Sequence, residues 1–109
     1  MTVSDQIYDE AIALQEAGKL SEAVVKLEEL LAHDADYALA HSALSVYLGR
    51  MERFEEAVAH AQRVCELEPA DPFSFMAMSL ICQRAGLIGE AEQAMAQAME
   101  LRWSARSGG

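Results

Sequence analysis

A 34-residue spacing is the feature that most limits what this chain can fold into. The dipeptide Glu-Ala occurs three times at that interval, at Glu22–Ala23, Glu56–Ala57 and Glu90–Ala91. An apolar residue stands three positions before each alanine, and further apolar residues follow it at helical spacing. Self-similarity at a fixed period of about 20 to 50 residues predicts a stack of like structural units.

Each unit has the pattern of a helix, a short turn and a second helix. The first helices are expected at about residues 4–17, 38–51 and 72–85, and the second helices at about 20–33, 54–68 and 88–102. The 109 residues then form a single domain with repeats at about 4–37, 38–71 and 72–105, and a flexible tail at 104–109. The small alanines at the repeat positions allow the two helices of a unit to approach closely.

The segment EPADP at the second junction indicates how one unit ends and the next begins. Pro69 lacks an amide hydrogen and cannot continue the preceding helix, whereas Pro72 suits the first position of the following one. Asp71 can cap that helix with its carboxylate. At the first junction, HDADY, Asp36 is the corresponding candidate cap.

The pattern resembles the tetratricopeptide repeat. The family's second-helix alanine matches Ala23, Ala57 and Ala91, its small first-helix residue matches Ala11, Ser45 and Ser79, and its terminal proline matches Pro69. The match covers residues 4–102. It implies an all-α fold, a right-handed superhelical stack of three helix-turn-helix repeats with six helices. It also implies that a concave groove lined by the first helices binds peptides or helices of other proteins.

Charge and hydropathy exclude several classes of partner. The net charge of −10 disfavours nucleic acid, whose phosphates attract basic surfaces. The longest apolar run is far shorter than the roughly 20 residues of a membrane span. The N-terminus MTVSDQIYDE lacks the pattern of a signal peptide, so a cytoplasmic location is expected.

The residues that usually carry chemistry form no recognisable site. His33, His41 and His60 are not spaced as metal ligands, and neither a nucleophile motif nor a phosphate-binding loop is present. We therefore expect no enzyme activity, no metal and no cofactor. Cys65 and Cys82 are expected to be free buried thiols; a disulfide or half of a metal site is the alternative.

The first helices carry a second apolar stripe, which faces the groove if the resemblance holds. The predicted partner-binding residues are Tyr8, Ile12, Leu39, Val46, Phe73, Met76 and Leu80, with Arg50 and Arg84 at the groove rim. Part of the family binds acidic chain ends through a clamp of Lys, Asn and Arg. The matching positions are Tyr8, Ile12, Ala43, Phe73 and Ala77, none of which can pair with a carboxylate. A tightly curled stack, or the tail folded back, is the alternative explanation for this stripe.

The last helix has a second apolar surface, formed by Met95, Met99 and Trp103, which predicts self-association or docking on another chain. Two functions follow from these surfaces. The first is a protein–protein interaction module, an adaptor or small chaperone, that holds an apolar or amphipathic segment in its groove. The second is a homo-oligomeric scaffold that associates through the groove or the last helix.

Overall fold

The computed structural model describes residues 1–107, and this range forms six α-helices. They are α1 (Val3–Glu16), α2 (Leu20–His33), α3 (Ala38–Arg50), α4 (Phe54–Leu67), α5 (Pro72–Arg84) and α6 (Ile88–Ser107). Each helix packs against the next along the chain, and α3 also contacts α5. The all-α fold of three helix pairs is thus confirmed. Over the same range, no helix has both the length and the hydropathy needed to cross a membrane.

A left-handed backbone conformation ends each first helix at the same repeat position. Gly18 and Gly86 have φ angles of 79° and 80°, and Glu52 has a φ of 60° at the equivalent place. Glycine adopts this conformation without steric cost because it has no Cβ. In glutamate the Cβ makes the same conformation unfavourable. The middle turn is therefore the strained member of the three.

The EPADP junction is built as the sequence predicts. Helix α4 ends at Leu67, and α5 begins with Pro72 at its first position. Asp71 is the N-cap, and its Oδ1 accepts a hydrogen bond from the amide of Phe73 at 3.0 Å. The prolines and the cap together confine the reversal of the chain to four residues, 68–71.

The expectation that Asp36 caps α3 is wrong. The N-cap of α3 is Tyr37, which makes no side-chain capping bond, so Asp36 lies one position too early. Its carboxylate instead accepts a hydrogen bond from Arg63 of α4 at 2.5 Å. The residue therefore links two helices rather than capping one.

The repeated alanines lie where the two helices of each unit meet. Ala23 and Ala57 are completely buried, and Ala91 is nearly so. In the third unit, the Ser79 hydroxyl donates to the carbonyl oxygen of Ala91 at 2.8 Å. A hydroxyl of α5 can reach the backbone of α6 only because neither position carries a larger side chain.

The polar Glu10 in α1 has a structural reason. Its repeat equivalent in α3 is Leu44, which is completely buried. Among the described helices α1 packs chiefly against α2, whereas α3 packs against α2, α4 and α5. The Glu10 side chain stays exposed, 3.9 Å from the ammonium of Lys26.

Helix α6 is longer than the sequence pattern predicts. It continues through Ser107, whereas we expected a helix to about 102 and a flexible tail from 104. Neither glycine nor proline interrupts the segment RWSARS, so nothing in it breaks the helical hydrogen bonds. Gly108 and Gly109, the remainder of the expected tail, lie outside the described residues.

Candidate peptide-binding groove

A groove of about 440 Å³ lies between α3 and α5. Three pairs of repeat-equivalent residues, one from each helix, line it in order along the helix axes. The pairs are Leu39 and Phe73, Val46 and Leu80, and Arg50 and Arg84. Successive pairs are separated by seven and four residues, which keeps them on one face of each helix.

Small residues keep this groove open. Ser42, Ser45 and Ala77 line its walls, and Ala61 and Val64 of α4 also line it. At one end α3 and α5 approach closely, because a Cβ built on Gly49 would lie 2.9 Å from Cδ1 of Ile81. Small side chains therefore leave space between α3 and α5 along the groove, and Gly49 allows the two helices to touch at its end.

The predicted groove residues are distributed unevenly over the structure. Six of the nine line the cavity: Leu39, Val46, Arg50, Phe73, Leu80 and Arg84. Tyr8 and Ile12 are partly buried and pack against the hydrophobic core, while Met76 is half-buried. A role for these three residues in binding a partner stays a prediction.

Tyr8 takes part in a polar and aromatic cluster between the first two units. Its ring centroid lies 5.8 Å from that of Tyr37, whose hydroxyl donates to Oδ1 of Asp5 at 2.5 Å. This bond raises the pKa of Tyr37 to about 12 and lowers the pKa of Asp5. Tyr8 therefore packs against another side chain of the protein in this structure.

The two arginines lie at the C-terminal ends of α3 and α5. Nη2 of Arg84 donates to the carbonyl oxygen of Gly49 at 3.1 Å, and its guanidinium carbon lies 5.4 Å from the ring centroid of Phe54. The guanidinium carbon of Arg50 lies 5.8 Å from the ring centroid of Tyr47. Both side chains remain exposed and face the same end of the groove.

The opposite end of the groove carries negative charge. Glu68 and Asp71, from the junction between α4 and α5, line the cavity there. Sequence reasoning treated this junction only as a turn and missed its contribution to the groove. The signal was available, because the start of α5 must lie beside its groove-facing Phe73.

A histidine pair joins α3 and α4 away from the groove lining. His41 Nε2 lies 2.8 Å from the carbonyl oxygen of Ala35 and therefore donates to it. The Nδ1 atoms of His41 and His60 lie 2.9 Å apart, so a hydrogen bond joins the two rings. Burial, and secondly the nearby His41, lower the pKa of His60. The sequence places His60 on a polar-looking face, whereas the structure half-buries it.

The exposed surface predicted on the last helix is present for two of its three residues. Met99 and Trp103 are 62% and 69% exposed, and they line a shallow depression of about 490 Å³ together with Arg102 and Arg106. Met95 is half-buried instead. Self-association through this surface stays a prediction.

The two thiols are free and buried, as predicted. Burial raises the pKa of Cys65 to about 11 and also raises the pKa of Cys82. Across residues 1–107, no three His, Cys, Asp or Glu side chains are arranged to hold a metal ion. These thiols therefore have the properties of core residues.

Known structures resemble this arrangement closely in shape and only weakly in sequence. No protein-family model matches the chain, and no curated protein matches it. A crystal structure of MamA superposes with a TM-score of 0.86 at 18% identity, over 94% of this chain and 60% of that one. The second TPR of Spaghetti (RPAP3) bound to HSP90 peptide SRMEEVD gives a TM-score of 0.80 at 18% identity, over 90% of this chain and 91% of that one.

The fold is that of the tetratricopeptide repeat. SycD, the type III secretion translocator chaperone of Yersinia enterocolitica, also has it; it superposes with a TM-score of 0.79 at 19% identity, over 90% of this chain and 74% of that one. MamA from Desulfovibrio magneticus RS-1 gives a TM-score of 0.81 at 20% identity, over 90% of this chain and 55% of that one. The chain thus spans little more than half the length of these MamA proteins. At these identities the likeness shows the fold alone.

Proposed function

We propose that this chain is a non-catalytic protein–protein interaction module. It binds an apolar or amphipathic segment of another protein in the groove between α3 and α5. The observation that carries the proposal is the exposure of four large apolar side chains along one cavity: Leu39, Val46, Phe73 and Leu80 are 51% to 71% exposed. Contiguous apolar surface of this kind in a concave site usually marks a binding site.

The shape of the groove favours a segment of a protein. Its walls are two neighbouring first helices, so the cavity is elongated, and its apolar side chains recur along it rather than converging on one point. An amphipathic helix or an extended strand can place successive side chains between such walls. The partner is then recognised by apolar contacts along its length.

Two of the structural neighbours support this use of the fold. The second TPR of RPAP3 was solved with an HSP90 peptide, and SycD is a translocator chaperone. An adaptor or a small chaperone is therefore the form of the module that we propose. We place it in the cytoplasm, since free buried thiols suit a reducing compartment.

A designed peptide tests the proposal. An acetylated and amidated 12-residue peptide carries leucine on one helical face and glutamine elsewhere; its control carries serine at the leucine positions. We expect the leucine peptide to bind with a Kd in the micromolar range, since apolar burial on both partners, roughly 10 kcal/mol each, exceeds association costs of about 4–15 kcal/mol. Fluorescence anisotropy measures this affinity. Equal binding of the serine peptide would contradict apolar recognition.

A homo-oligomeric scaffold is the second candidate, and Met99 is the observation that favours it. Its repeat equivalent in α4 is Cys65, which is buried and donates to the carbonyl oxygen of Ser74 in α5. Met99 thus occupies a position that a following helix covers in the preceding unit. We expect Met99→Glu to lower the mass measured by light scattering at high protein concentration. Val25→Glu, at an exposed position of α2, is the control; a monomeric wild-type protein at high micromolar concentration would exclude this function.

A further inference from the structure

One end of the groove carries two arginines without an acidic partner among residues 1–107. The residue four positions before Arg50 is Val46, and the residue four positions before Arg84 is Leu80. In a helix, an acidic residue four positions before an arginine often pairs with it. Here both of these positions hold apolar residues that form the walls of the groove. Neither guanidinium lies in an ion pair with a carboxylate of residues 1–107.

Two other arginines, Arg53 and Arg63, are paired with carboxylates. Arg53 contacts Glu56 through two of its nitrogens at 2.7 Å, and Arg63 contacts both Asp36 and Glu66. The chain holds 18 acidic residues against eight basic ones, so carboxylates are abundant. Arg50 and Arg84 differ from Arg53 and Arg63 in lying beside the apolar residues of the groove.

Both guanidiniums are held in place while keeping donors available. Arg84 uses Nη2 for the carbonyl oxygen of Gly49 and lies over the ring of Phe54, and Arg50 lies over the ring of Tyr47. A guanidinium has five N–H donors, and its fork matches the two oxygens of a carboxylate. A carboxylate that arrives at this end meets donors that are already partly ordered.

The charge of the groove also has a direction. Glu68 and Asp71 line the end opposite to the arginines, and Asp71 is already engaged by the amide of Phe73 and the hydroxyl of Ser74. An acidic group on a bound segment is therefore attracted to the arginine end and repelled from the other.

We infer that the segment bound in this groove carries an acidic side chain, from Asp or Glu, at the end that lies beside Arg50 and Arg84. The inference rests on the proposed function of the groove. It differs from the carboxylate clamp, whose matching positions, among them Ala43 and Ala77, offer no basic group. A side chain fits better than a chain terminus because both guanidiniums are exposed at the rim, where a segment can pass and continue.

Peptides derived from the leucine peptide test this inference. Eleven residues separate Phe73 from Arg84, about 16 Å along the helix axis, so a 12-residue helical peptide spans the groove. One version carries two glutamates at its first positions and another carries them at its last positions. The parent peptide, with glutamine at both ends, is the neutral control. A further version of the parent has a free C-terminal carboxylate, which separates a side-chain acid from a chain terminus.

We expect one of the two glutamate peptides to bind about tenfold tighter than the neutral peptide, as two partly exposed charged hydrogen bonds allow. The preference should decrease when salt is raised from about 0.05 M to 0.5 M. In the double variant Arg50→Gln, Arg84→Gln the preference, measured as the ratio of the Kd values of the neutral and the glutamate peptide, should vanish. Arg53→Gln, which removes an exposed arginine absent from the groove lining, should leave the preference intact.

Circular dichroism checks that the variants keep their helices. The charge-reversed double variant Arg50→Glu, Arg84→Glu supplies a second test, since it should prefer a peptide that carries lysines in place of the glutamates. Equal binding of glutamate and glutamine peptides by the wild-type protein overturns the inference and leaves the proposed function standing. A preference for the free C-terminal carboxylate alone overturns the choice of a side chain. If no peptide of the set binds, the proposed function fails, and this inference fails with it.

Discussion

Replacing Leu80 by glutamine should weaken peptide binding strongly without unfolding the protein. Leu80 lines the groove and is 59% exposed, so most of its surface makes no contact within the chain. Glutamine is preferred to glutamate here because a carboxylate four residues before Arg84 can pair with that arginine. The variant then changes the apolar wall and leaves the charged end of the groove as it is.

The expected size of the effect follows from the exposed fraction. Complete burial of a leucine side chain is worth about 1.5–3 kcal/mol, so burial of the exposed 59% contributes about 0.9–1.8 kcal/mol. Leu80→Ala should therefore raise Kd by about 5- to 20-fold. Leu80→Gln also buries an amide without a partner, which adds about 1–3 kcal/mol. The total corresponds to an increase of roughly 30-fold or more.

Fluorescence anisotropy with the leucine peptide measures these changes, and circular dichroism monitors the fold. Val25→Gln is the matched control, because Val25 has a similar exposure of 54% on α2 and does not line the groove. If Leu80→Gln binds the peptide as tightly as the wild-type protein does, or if Val25→Gln weakens binding to the same degree, the apolar groove is not the recognition surface.

Three further predictions concern the stability and chemistry of the fold. Glu52→Gly should stabilise the protein by about 1 kcal/mol in urea unfolding, because it relieves a left-handed φ of 60°; a loss of stability would contradict this. Because the pKa of His60 is lowered in the folded state, the unfolded chain binds more protons at mildly acidic pH. The free energy of unfolding should therefore fall as pH drops below about 6.5, and it should fall less in His60→Gln; an equal fall in that variant would contradict this. Cys65 and Cys82 should react slowly with a thiol reagent at about pH 8 in the native state and fully after unfolding, since burial raises both pKa values; rapid native labelling would show that they are accessible.

The helical stack was predictable from the sequence because the signals for it are local and occur three times. The glycines at the turns and the EPADP junction each impose a backbone conformation that does not depend on tertiary contacts, and the Glu-Ala spacing shows that the unit recurs every 34 residues. The cap at Asp36 was mispredicted because the start of α3 depends on one residue of register. That register is set by packing, and not by any residue as restrictive as Pro72.

The candidate site was predictable in part. The helical period places Leu39, Phe73 and Leu80 on one face, and these residues do line the cavity. The helical period does not show how α1 packs against the next unit, so the contact between the rings of Tyr8 and Tyr37 was missed. The histidine pair was missed for a similar reason, since His41 and His60 are 19 residues apart and meet only across two helices. Contacts between helices depend on side chains on both partners, which a one-helix pattern does not contain.

Amide chemical shifts recorded by NMR while the leucine peptide is added test the central claim most directly. The account predicts that the largest changes occur along the groove between α3 and α5, at residues such as Val46, Ala77 and Leu80. Residues on the far side, such as Val25 of α2, should change little. Changes concentrated on α2 or near Met99 and Trp103 of α6, with the groove unaffected, would contradict the proposal that this groove is where the protein binds its partner.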